Sequence, residues 1–334
     1  MKRLRFGILA TGSIAQRLAT TMQQSSTCEL VAAASRSEEK ARAFGEEFGV
    51  EGVLGYDTLL QREDIDAVYV ATPHPQHHEW CLRAIAAGKH VLCEKPFTMT
   101  HAELEEIVTA ARAKGVLVVE AFMYRFHPQT RKLAELVASG VIGEVRWIQA
   151  DFGFAGTYTP ESRLYARELG GGGILDVGCY TVSMARMLAG AATGQPFVDP
   201  VAAKSIGRLN PVEGTDWLAG ALLDFPGDVL ATVRCATRFT VGRFVRVEGM
   251  LGTIEVSEPW FAGSQGANIR VRIGDEETIY ETVDPVDLYS PMLDEFAACW
   301  RDGRTESTFM SLDDSLGNMR VLEEWYRQVG VTYC

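Results

Sequence analysis

Two side chains far apart in the sequence, an amine and a phenol, are of the types needed to move a proton beside a carbonyl group. Lys95 lies within Glu94-Lys95-Pro96, and Tyr180 follows a run of three glycines. Reduction of a carbonyl leaves an alkoxide that must take up a proton, and a phenol, which ordinarily titrates at about pH 10, can donate it. A nearby ammonium favours the phenolate and stabilises the developing charge. Taken singly, Lys95 also suits a surface lysine and Tyr180 a packed helix aromatic.

A carboxylate precedes the tyrosine at helical spacing. Asp176 comes four residues before Tyr180 in the segment Gly171-Gly172-Gly173-Ile174-Leu175-Asp176-Val177-Gly178-Cys179-Tyr180. If Asp176 opens a helix, the two side chains share one face of it. The alternative is that Asp176 is only a helix N-terminal charge and that the glycine run is a flexible loop.

The first apolar run ends in a glycine turn of the kind that binds dinucleotide phosphates. The segment Ala10-Thr11-Gly12-Ser13-Ile14-Ala15 fits the pattern G-x-G-x-x-G/A with alanine in the first position. Gly12 would let the backbone approach a pyrophosphate, and the start of the following helix offers free N–H groups to the anion. The alternative is an ordinary strand-to-helix turn that requires a glycine. The place of the turn at the start of a strand–helix–strand pattern favours the phosphate site.

The end of the second apolar run discriminates between the two nicotinamide cofactors. It reads Ser35-Arg36. NAD enzymes usually carry Asp or Glu here for the ribose 2′-hydroxyl, whereas Arg accommodates a 2′-phosphate. Arg36 and the absence of an acid therefore favour NADP(H) over NAD(H), and Lys40 or Arg42 could assist. A solvated loop arginine is the alternative.

Two further segments follow predicted strands. Ala71-Thr72-Pro73-His74-Pro75-Gln76-His77 comes after the third strand, and Glu94-Lys95-Pro96 comes after the fourth. Ligands of open parallel sheets bind at the carboxyl ends of the strands, so we expect both segments at the cofactor edge. His74, His77 and His78 are close in sequence. Because no carboxylate or cysteine is spaced to complete a metal site with them, we predict no metal.

The elements that must position these residues follow from the periodicity of apolar residues. Over residues 1–122, short apolar runs alternate with helical patterns. This is typical of strand–helix–strand units and of a parallel sheet that is covered on both faces. We therefore predict an α/β fold that begins with an N-terminal Rossmann-type, doubly wound parallel sheet.

After residue 122 the pattern changes. Strand-like runs between residues 217 and 283, the last over 278–283, are joined by short turns, and two helical patterns close the chain. Short turns favour antiparallel pairing. The prediction is a C-terminal α+β domain with an open, mainly antiparallel sheet. The predicted domains are 1–122, which binds NADP, and 123–334, which binds the substrate and carries oligomerisation.

Composition limits the partners and the location. The 334 residues carry a formal net charge of −12, which opposes binding to nucleic acid or to an anionic membrane. No stretch reaches the roughly 18 apolar residues of a membrane span, and the N-terminal apolar run is too short for a signal peptide. The seven cysteines include no CxxC pair, which disfavours disulfides and a zinc ribbon. We expect a cytoplasmic protein that binds neither nucleic acid nor membrane.

Together these segments resemble the Gfo/Idh/MocA family of oxidoreductases, which is named after glucose–fructose oxidoreductase and inositol dehydrogenase. The resemblance runs over nearly the whole chain, and its specific part is Glu-Lys-Pro paired with Gly-Gly-Gly-x-Leu-Asp-x-Gly-x-Tyr. Many members carry His where this chain has Tyr180. That tyrosine and the run Tyr124-Arg125-Phe126-His127-Pro128 point to the branch with the dimeric dihydrodiol dehydrogenases and the NADP-dependent D-xylose dehydrogenases.

The resemblance implies a role for each matched residue. Lys95 would contact the nicotinamide ribose and the reacting oxygen, and Tyr180 would donate or accept the proton. Asp176 would lie beside Tyr180 and orient the substrate, and Arg163 is a further substrate-binding candidate. From the glycine turn, the end of the second strand and the resemblance together, the predicted cofactor-binding residues are Ala10, Thr11, Gly12, Ser13, Ile14, Ser35, Arg36, Ala71, Thr72, Pro73, His74, His77, Glu94, Lys95 and Arg125.

Five of these residues have a more specific implied place. Glu94 is expected at the cofactor ribose. Thr72, Pro73 and His77 are expected on the nicotinamide side, and Arg125 near the nicotinamide or its carboxamide. Since Lys95 and Tyr180 are far apart in sequence, these roles require the fold to bring both to the same nicotinamide ring.

The expected function is that of an enzyme, an NADP(H)-dependent dehydrogenase or reductase. It would move hydride between nicotinamide C4 and an alcohol or carbonyl carbon of a sugar or cyclic polyol, a dihydrodiol or aldose-like substrate. Two alternatives stay open: an NAD-retaining enzyme that uses transient oxidation for net hydrolysis or isomerisation, and a non-catalytic NADP-sensing regulator. Because the family often forms dimers or tetramers, we expect a homodimer or homotetramer through the C-terminal sheet.

Overall fold

The structure, a computed structural model, describes residues 2–262, 268–282 and 287–333. Contacts between residues divide the chain into two compact units. The first holds the described residues up to Met123 together with Tyr289–Ser315. The second holds those from Tyr124 to Leu288 together with Leu316 onward.

Strands and helices alternate in the first part of the chain and segregate in the rest. The strands are β1 Leu4–Leu9, β2 Cys28–Ser35, β3 Glu51–Leu54, β4 Ala67–Val70, β5 His90–Cys93, β6 Val118–Glu120, β7 Val145–Gly153, β8 Ala202–Leu209, β9 Asp216–Phe225, β10 Val229–Ala236, β11 Phe244–Gly249, β12 Gly252–Val256, β13 Asn268–Ile273 and β14 Glu276–Glu281. The helices are α1 Ser13–Gln24, α2 Glu38–Phe48, α3 Tyr56–Leu60, α4 His77–Ala86, α5 His101–Lys114, α6 Met123–Phe126, α7 Pro128–Ala138, α8 Cys179–Ala192, α9 Ser290–Arg301 and α10 Leu312–Val329.

The first unit is built on a parallel sheet of six strands in the order β3-β2-β1-β4-β5-β6. β1 pairs with both β2 and β4, so the strand order reverses at β1. The turns that follow β1 and β4 therefore leave the same edge of the sheet side by side, which is where such folds bind ligands. The predicted Rossmann-type sheet is confirmed.

Helix ends in this unit follow local capping chemistry. The Ser37 side chain accepts the Lys40 N–H at the start of α2, and Thr100 forms a capping box with Glu103 at the start of α5. α5 ends at Gly115, whose φ of 68° is left-handed and suits glycine. These caps fix where each helix begins relative to the strand before it.

A segment from late in the chain completes the first unit. Tyr289–Ser315 packs there: the ring centroid of Phe296 lies 5.4 Å from that of Phe6, and Thr27 Oγ1 donates a hydrogen bond of 2.7 Å to Asp294. The sequence pattern assigned this segment to the second domain, because periodicity does not show which sheet a helix packs on. The predicted domain boundaries stay a prediction.

The second unit is built on an eight-stranded sheet in the order β14-β13-β12-β11-β7-β10-β9-β8. Among the described strands, β7 and β10 pair in parallel, and the other neighbouring pairs are antiparallel. α8 packs on β7 and β10, and Gln328 of α10 accepts the Ser205 N–H of β8 at 2.8 Å. Since the helices cover one face, the other face is open. The predicted open, mainly antiparallel α+β arrangement is confirmed.

Some elements differ from the sequence prediction. β3, α3 and β8 were not predicted: β3 and α3 are very short, and in β8 polar residues and a glycine separate the apolar residues, so there is no continuous apolar run. The strand predicted over 278–283 is observed as Glu276–Glu281, and residue 283 lies outside the described residues. Among the described residues, no helix has the length and apolar character needed to cross a membrane.

Candidate functional site

The turn after β1 carries the phosphate fingerprint. Ala10 adopts a φ of 81°, in the left-handed region that costs a non-glycine residue about 1–2 kcal/mol. Glycine is usual at this first position because it adopts the conformation without strain. The Ala10 N–H donates to Ala34 O at 3.0 Å, so pairing at the end of the sheet holds the strained residue in place.

Gly12 leaves open space at the start of α1. It is the N-cap residue, with a φ of −76°, and a Cβ built on it would meet no atom within 4 Å. Neither the backbone conformation nor the protein's own packing therefore requires glycine here. α1 has no side-chain cap and no acidic residue in its first turn, and its first internal hydrogen bond runs from Gln16 N–H to Gly12 O. The N–H groups between them are available to an anion, so a pyrophosphate fits this site.

The end of β2 presents a cation and no acid. Ser35 is buried, and its hydroxyl accepts the Ser37 N–H at 3.2 Å. Arg36 is exposed, and its charge acts on the Tyr56 hydroxyl. Burial raises the pKa of Tyr56 and Arg36 opposes this rise, so the phenol is neutral at pH 7 and does not cancel the arginine's charge. An exposed guanidinium at this position fits a ribose 2′-phosphate.

The segment after β4 contains a buried hydroxyl without a partner. Thr72 and His74 are buried, whereas Ala71 and Pro73 are half-buried. The Thr72 Oγ1 atom is enclosed and has no hydrogen-bond partner among the described residues. Buried polar atoms are nearly always paired, so this hydroxyl fits a site in which a bound polar group supplies the partner.

His77 joins this segment to the turn after β5. Its ring is 0% exposed, with Nε2 2.8 Å from Thr72 O and Nδ1 3.0 Å from Pro96 O. Burial lowers the pKa of His77 to about 4, although both carbonyl contacts act in the opposite direction. The ring is therefore neutral at pH 7 and donates to only one of the two carbonyls. Because the His77 side chain is fully enclosed, its effect on the site comes from holding together the two turns that it contacts. Its predicted place beside the nicotinamide stays a prediction.

The backbone around Lys95 is held by hydrogen bonds on both sides. The Tyr69 hydroxyl donates to the Glu94 carboxylate, which also accepts the Lys95 N–H at 3.2 Å. Beyond the turn, Glu120 accepts the Phe97 N–H at 3.0 Å. The half-buried Lys95 side chain therefore extends from a backbone whose position is fixed. The predicted contact of Glu94 with the cofactor ribose stays a prediction.

Asp176 and Tyr180 lie in consecutive helical elements of the second unit. Ile174–Gly178 forms a π-helical turn, and α8 continues from Cys179. Both side chains are almost fully buried. Asp176 forms an ion pair of 3.2 Å with Arg163, whose side chain is largely exposed. The structure thus brings together two of the predicted substrate-binding residues and places Tyr180 one turn further on.

Three aromatic rings surround the Tyr180 ring. Ring centroids lie 5.5 Å from Tyr124, 5.3 Å from Phe152 on β7 and 5.9 Å from Trp260. Edge and tilted contacts of this kind restrict the ring to one orientation. Sequence reasoning did not single out Phe152 or Trp260, because no spacing relates them to Tyr180 and only the fold brings them together.

Arg125 is bound to α8 in the second unit. Its Nη1 donates to the Ser183 hydroxyl at 3.0 Å and lies 3.4 Å from the Ser183 carbonyl oxygen, and the side chain is buried. The Tyr124 hydroxyl also reaches Ser183, at 2.8 Å. The implied position of Arg125 near the nicotinamide stays a prediction.

Metal ligation finds no support in the part of the chain that the structure describes. There, no group of three or more His, Cys, Asp or Glu side chains could hold a metal ion. His78, one of the three neighbouring histidines, contacts Glu106 at 2.9 Å instead.

The fold and these residues define a class of protein with two units: a Rossmann-type unit whose first turn has space for an anion, and a unit on an open, mainly antiparallel sheet. The chain belongs to the Gfo/Idh/MocA oxidoreductase family. Residues 4–122 match the family model described as an oxidoreductase family with an NAD-binding Rossmann fold, and residues 130–255 match the family's C-terminal domain. The predicted family is confirmed.

Individual relatives cover nearly the whole chain. Trans-1,2-dihydrobenzene-1,2-diol dehydrogenase of Mus musculus is 32% identical over 99% of this chain and 98% of its own. D-xylose 1-dehydrogenase (NADP(+)) 2 of Haloferax volcanii is 32% identical over 97% of this chain and 96% of its own. KijD10, a 3-ketoreductase from Actinomadura kijaniata solved with NADP and TDP-benzene, has a TM-score of 0.87 and 27% identity over 98% of each chain.

Proposed function

We propose that this chain is an NADP(H)-dependent dehydrogenase or reductase that acts on an alcohol or carbonyl carbon of a sugar or cyclic polyol. The observation that carries the proposal is the start of α1, where a glycine that packing does not require leaves space for an anion. The names of the relatives support the substrate class, because they include a dihydrodiol dehydrogenase, a xylose dehydrogenase and a ketoreductase solved with NADP.

Residues of the first unit, with Arg125 of the second, would hold the cofactor. We assign the pyrophosphate to the backbone around Gly12 and the 2′-phosphate to Ser35 and Arg36. The Thr72 hydroxyl, which has no protein partner among the described residues, is assigned to the nicotinamide end. When bound, NADPH supplies the hydride and NADP⁺ accepts it. The other candidates for this side of the site are Ala10, Thr11, Ser13, Ile14, Ala71, Pro73, His74, His77, Glu94, Lys95 and Arg125.

Lys95, Asp176 and Tyr180 would carry the proton chemistry. The Tyr180 hydroxyl gives a proton to the substrate oxygen during reduction and takes one during oxidation. The Lys95 ammonium stabilises the negative charge that develops on that oxygen. Asp176, fixed by its ion pair with Arg163, accepts a hydrogen bond from a neighbouring substrate hydroxyl. The aromatic rings around Tyr180 keep its hydroxyl in one direction.

Tyr180→Phe tests this assignment. We expect kcat to fall by about 100-fold or more, the usual contribution of a positioned proton donor, while NADPH still binds. Tyr280→Phe is the matched control, because it removes the hydroxyl of another tyrosine of the same unit, on β14. Turnover of Tyr180→Phe at the wild-type rate would refute the role.

A panel of aldoses, cyclic polyols and dihydrodiols with NADP⁺ or NAD⁺ tests the activity itself. The nicotinamide absorbance should change by one cofactor per substrate consumed, and NADP⁺ should be preferred. Substrate conversion without net cofactor consumption would indicate the NAD-retaining type of enzyme. Tight NADPH binding without turnover on any of these substrates would indicate a regulator.

We further propose that the open face of the second unit's sheet pairs with a second copy of the chain. Exposed apolar side chains lie on it: Ile206 is 70%, Ile279 49% and Leu222 40% exposed. Between these apolar side chains, residues that face each other on adjacent strands carry charges of both signs. Arg246 of β11, for example, lies 2.9 Å from Glu255 of β12. A patch with both signs complements itself across a two-fold axis, as a homodimer or a homotetramer with such dimers requires.

Light scattering after gel filtration tests the oligomer. We expect wild type to elute as a dimer or tetramer and Leu222→Glu to shift towards monomer. Met250→Glu is the control, because Met250 is equally apolar and 66% exposed but follows β11 at a turn. A monomeric wild type at micromolar concentration would contradict the proposal.

A cytoplasmic location is proposed from the thiols. Cys28, Cys81, Cys93, Cys179, Cys235 and Cys299 are all buried and free. A reducing compartment suits such a set. Thiol counting after denaturation of protein isolated under alkylating conditions should find every cysteine reduced, and a disulfide would contradict the location.

A further inference from the structure

The glycines before the π-helical turn wrap around a buried carboxyl group. Asp216, the first residue of β9, is 0% exposed, and its Oδ2 accepts the Ile174 N–H at 2.9 Å. A Cβ on Gly172 would lie 2.5 Å from Oδ1, and one on Gly173 would lie 3.0 Å from Oδ2. The backbone therefore approaches this carboxyl more closely than any residue with a Cβ allows.

Other side chains hold the glycine run and the chain just before it. The Tyr333 hydroxyl donates to Gly171 O at 2.7 Å, and the Thr215 hydroxyl donates to Tyr165 O at 2.9 Å. Gly172 has a φ of 119°, which only glycine adopts readily. The run is therefore a fixed wrap around Asp216, in contrast to the flexible loop that the sequence left open.

The charge on this carboxyl is uncompensated by any ion pair within the described residues. Its Oδ1 atom has no hydrogen-bond partner there. The titratable groups facing it are Asp176 of the π turn, the Cys235 thiol of β10 at 4.0 Å and Tyr333 near the C-terminus. Burial raises the pKa of Asp216 to about 7, and Asp176 adds to the rise while the N–H groups of residues 173 and 174 oppose it.

We propose that Asp216 is a positioning residue for the proposed reaction: its carboxyl fixes the Gly171–Ile174 wrap and thereby the direction of Asp176 and Tyr180. The inference rests on the proposed function, because it needs those two residues to do the chemistry. Asp216 sits on a rigid sheet and binds the first residue of the π turn directly. Asp176 follows Ile174 by two residues and Tyr180 by six, so a shift of the turn displaces both.

Three variants test the role. Asp216→Ala removes both acceptors and should lower kcat by about 100-fold, the effect expected for displacement of reacting groups by about 1 Å. The affinity for NADPH should stay within about twofold, since the residues assigned to its phosphates lie in the first unit. Asp216→Asn keeps an oxygen for the Ile174 N–H and should restore most of the kcat. Asp151→Asn is the control, because it alters another fully buried carboxyl of the same sheet, paired there with Arg234.

The pH dependence of kcat distinguishes a positioning role of Asp216 from a role in the stability of the fold alone. A carboxylate accepts the Ile174 N–H more strongly than a carboxylic acid does. The kcat ratio of wild type to Asp216→Asn should therefore rise between pH 6 and pH 8. A ratio that stays constant over this range, or an Asp216→Ala enzyme that folds and keeps the wild-type kcat, would overturn the proposal.

A pair of substitutions tests the close approach. Gly173 has a φ of −71°, so alanine is allowed there by the backbone and is opposed only by the Asp216 carboxyl. Gly173→Ala should lower kcat by about tenfold. In the Asp216→Ala background the same change should cost much less, because its obstacle is gone. Equal losses in both backgrounds would contradict the wrap.

Failure of this inference and failure of the proposed function give different results. If Tyr180→Phe is inactive while Asp216→Ala is fully active, only the positioning role is wrong. If Tyr180→Phe keeps full turnover, the chemistry assigned to Tyr180 is wrong and the role of Asp216 falls with it.

Discussion

The buried His77 ring makes a quantitative prediction about acid stability. An unfolded histidine titrates at about 6.5, whereas His77 in the folded protein titrates at about 4 because burial disfavours its charged form. The unfolded chain therefore binds more protons than the folded one between these two values. The contribution of His77 is fully present above pH 6.5 and is lost as the pH falls towards 4. A difference of about 2.5 in pKa, at about 1.36 kcal/mol for each, gives about 3 kcal/mol.

Replacement of His77 isolates this effect. Asp216 changes stability with the opposite sign, because its raised pKa makes the folded protein bind the extra proton between about pH 4 and pH 7. Wild type alone can therefore show a nearly flat profile. We expect the free energy of unfolding of wild type minus that of His77→Gln to fall by about 3 kcal/mol between pH 7 and pH 4.

Urea unfolding at half-unit steps of pH measures this difference. His78→Gln is the matched control, since His78 is the next residue of α4 and contacts Glu106 near the surface. The control should leave the dependence assigned to His77 in place. The reasoning is refuted if the profiles of wild type and His77→Gln run parallel from pH 7 to pH 4. At neutral pH His77→Gln should also lower kcat, because the turns after β4 and β5 lose a shared hydrogen bond.

Three further predictions concern the turns that would hold the cofactor. Gly12→Ala should change the free energy of unfolding by less than about 0.5 kcal/mol but weaken NADPH binding at least about tenfold. The reason is that the added methyl meets only the space assigned to phosphate. A fluorescence titration that shows wild-type affinity for NADPH would contradict this prediction. Arg36→Ala should raise the dissociation constant of NADPH by about 10–100-fold and that of NADH far less, and equal effects in parallel titrations would discredit the 2′-phosphate assignment. Ala10→Gly should raise the free energy of unfolding by up to about 1 kcal/mol. Relief of the left-handed backbone strain at this residue exceeds the free-energy cost of the extra conformational entropy that glycine gives the unfolded chain. A clear destabilisation in urea unfolding would argue against this.

Much of the fold could be predicted from the sequence, because most strands and helices show in the local pattern of apolar and polar residues. Buried parallel strands are continuous apolar runs, so β1, β2, β4 and β5 stood out. β3 did not because it has only four residues, and β8 did not because polar residues and a glycine interrupt its apolar residues. The return of Tyr289–Ser315 to the first unit was not accessible, because a helix pattern records which face is apolar and not which partner covers it.

The candidate site shows the same division. Lys95, Asp176 and Tyr180 were singled out from the sequence because they lie in short motifs, and their roles stay a prediction. Phe152 and Asp216 were not, because each lies in an ordinary strand and acquires its significance only by what it touches.

The sequence by itself determined the alternation of strands and helices, the glycine turn after β1 and the cation at the end of β2. These depend on residues adjacent in the chain, whose spacing fixes backbone conformation and periodicity. The tertiary structure alone decided that the His77 side chain is fully buried between two turns and contacts a backbone carbonyl of each. It alone also decided that the glycine run packs closely around Asp216. Burial and close approach depend on which atoms surround a group, and most of those atoms come from distant parts of the chain.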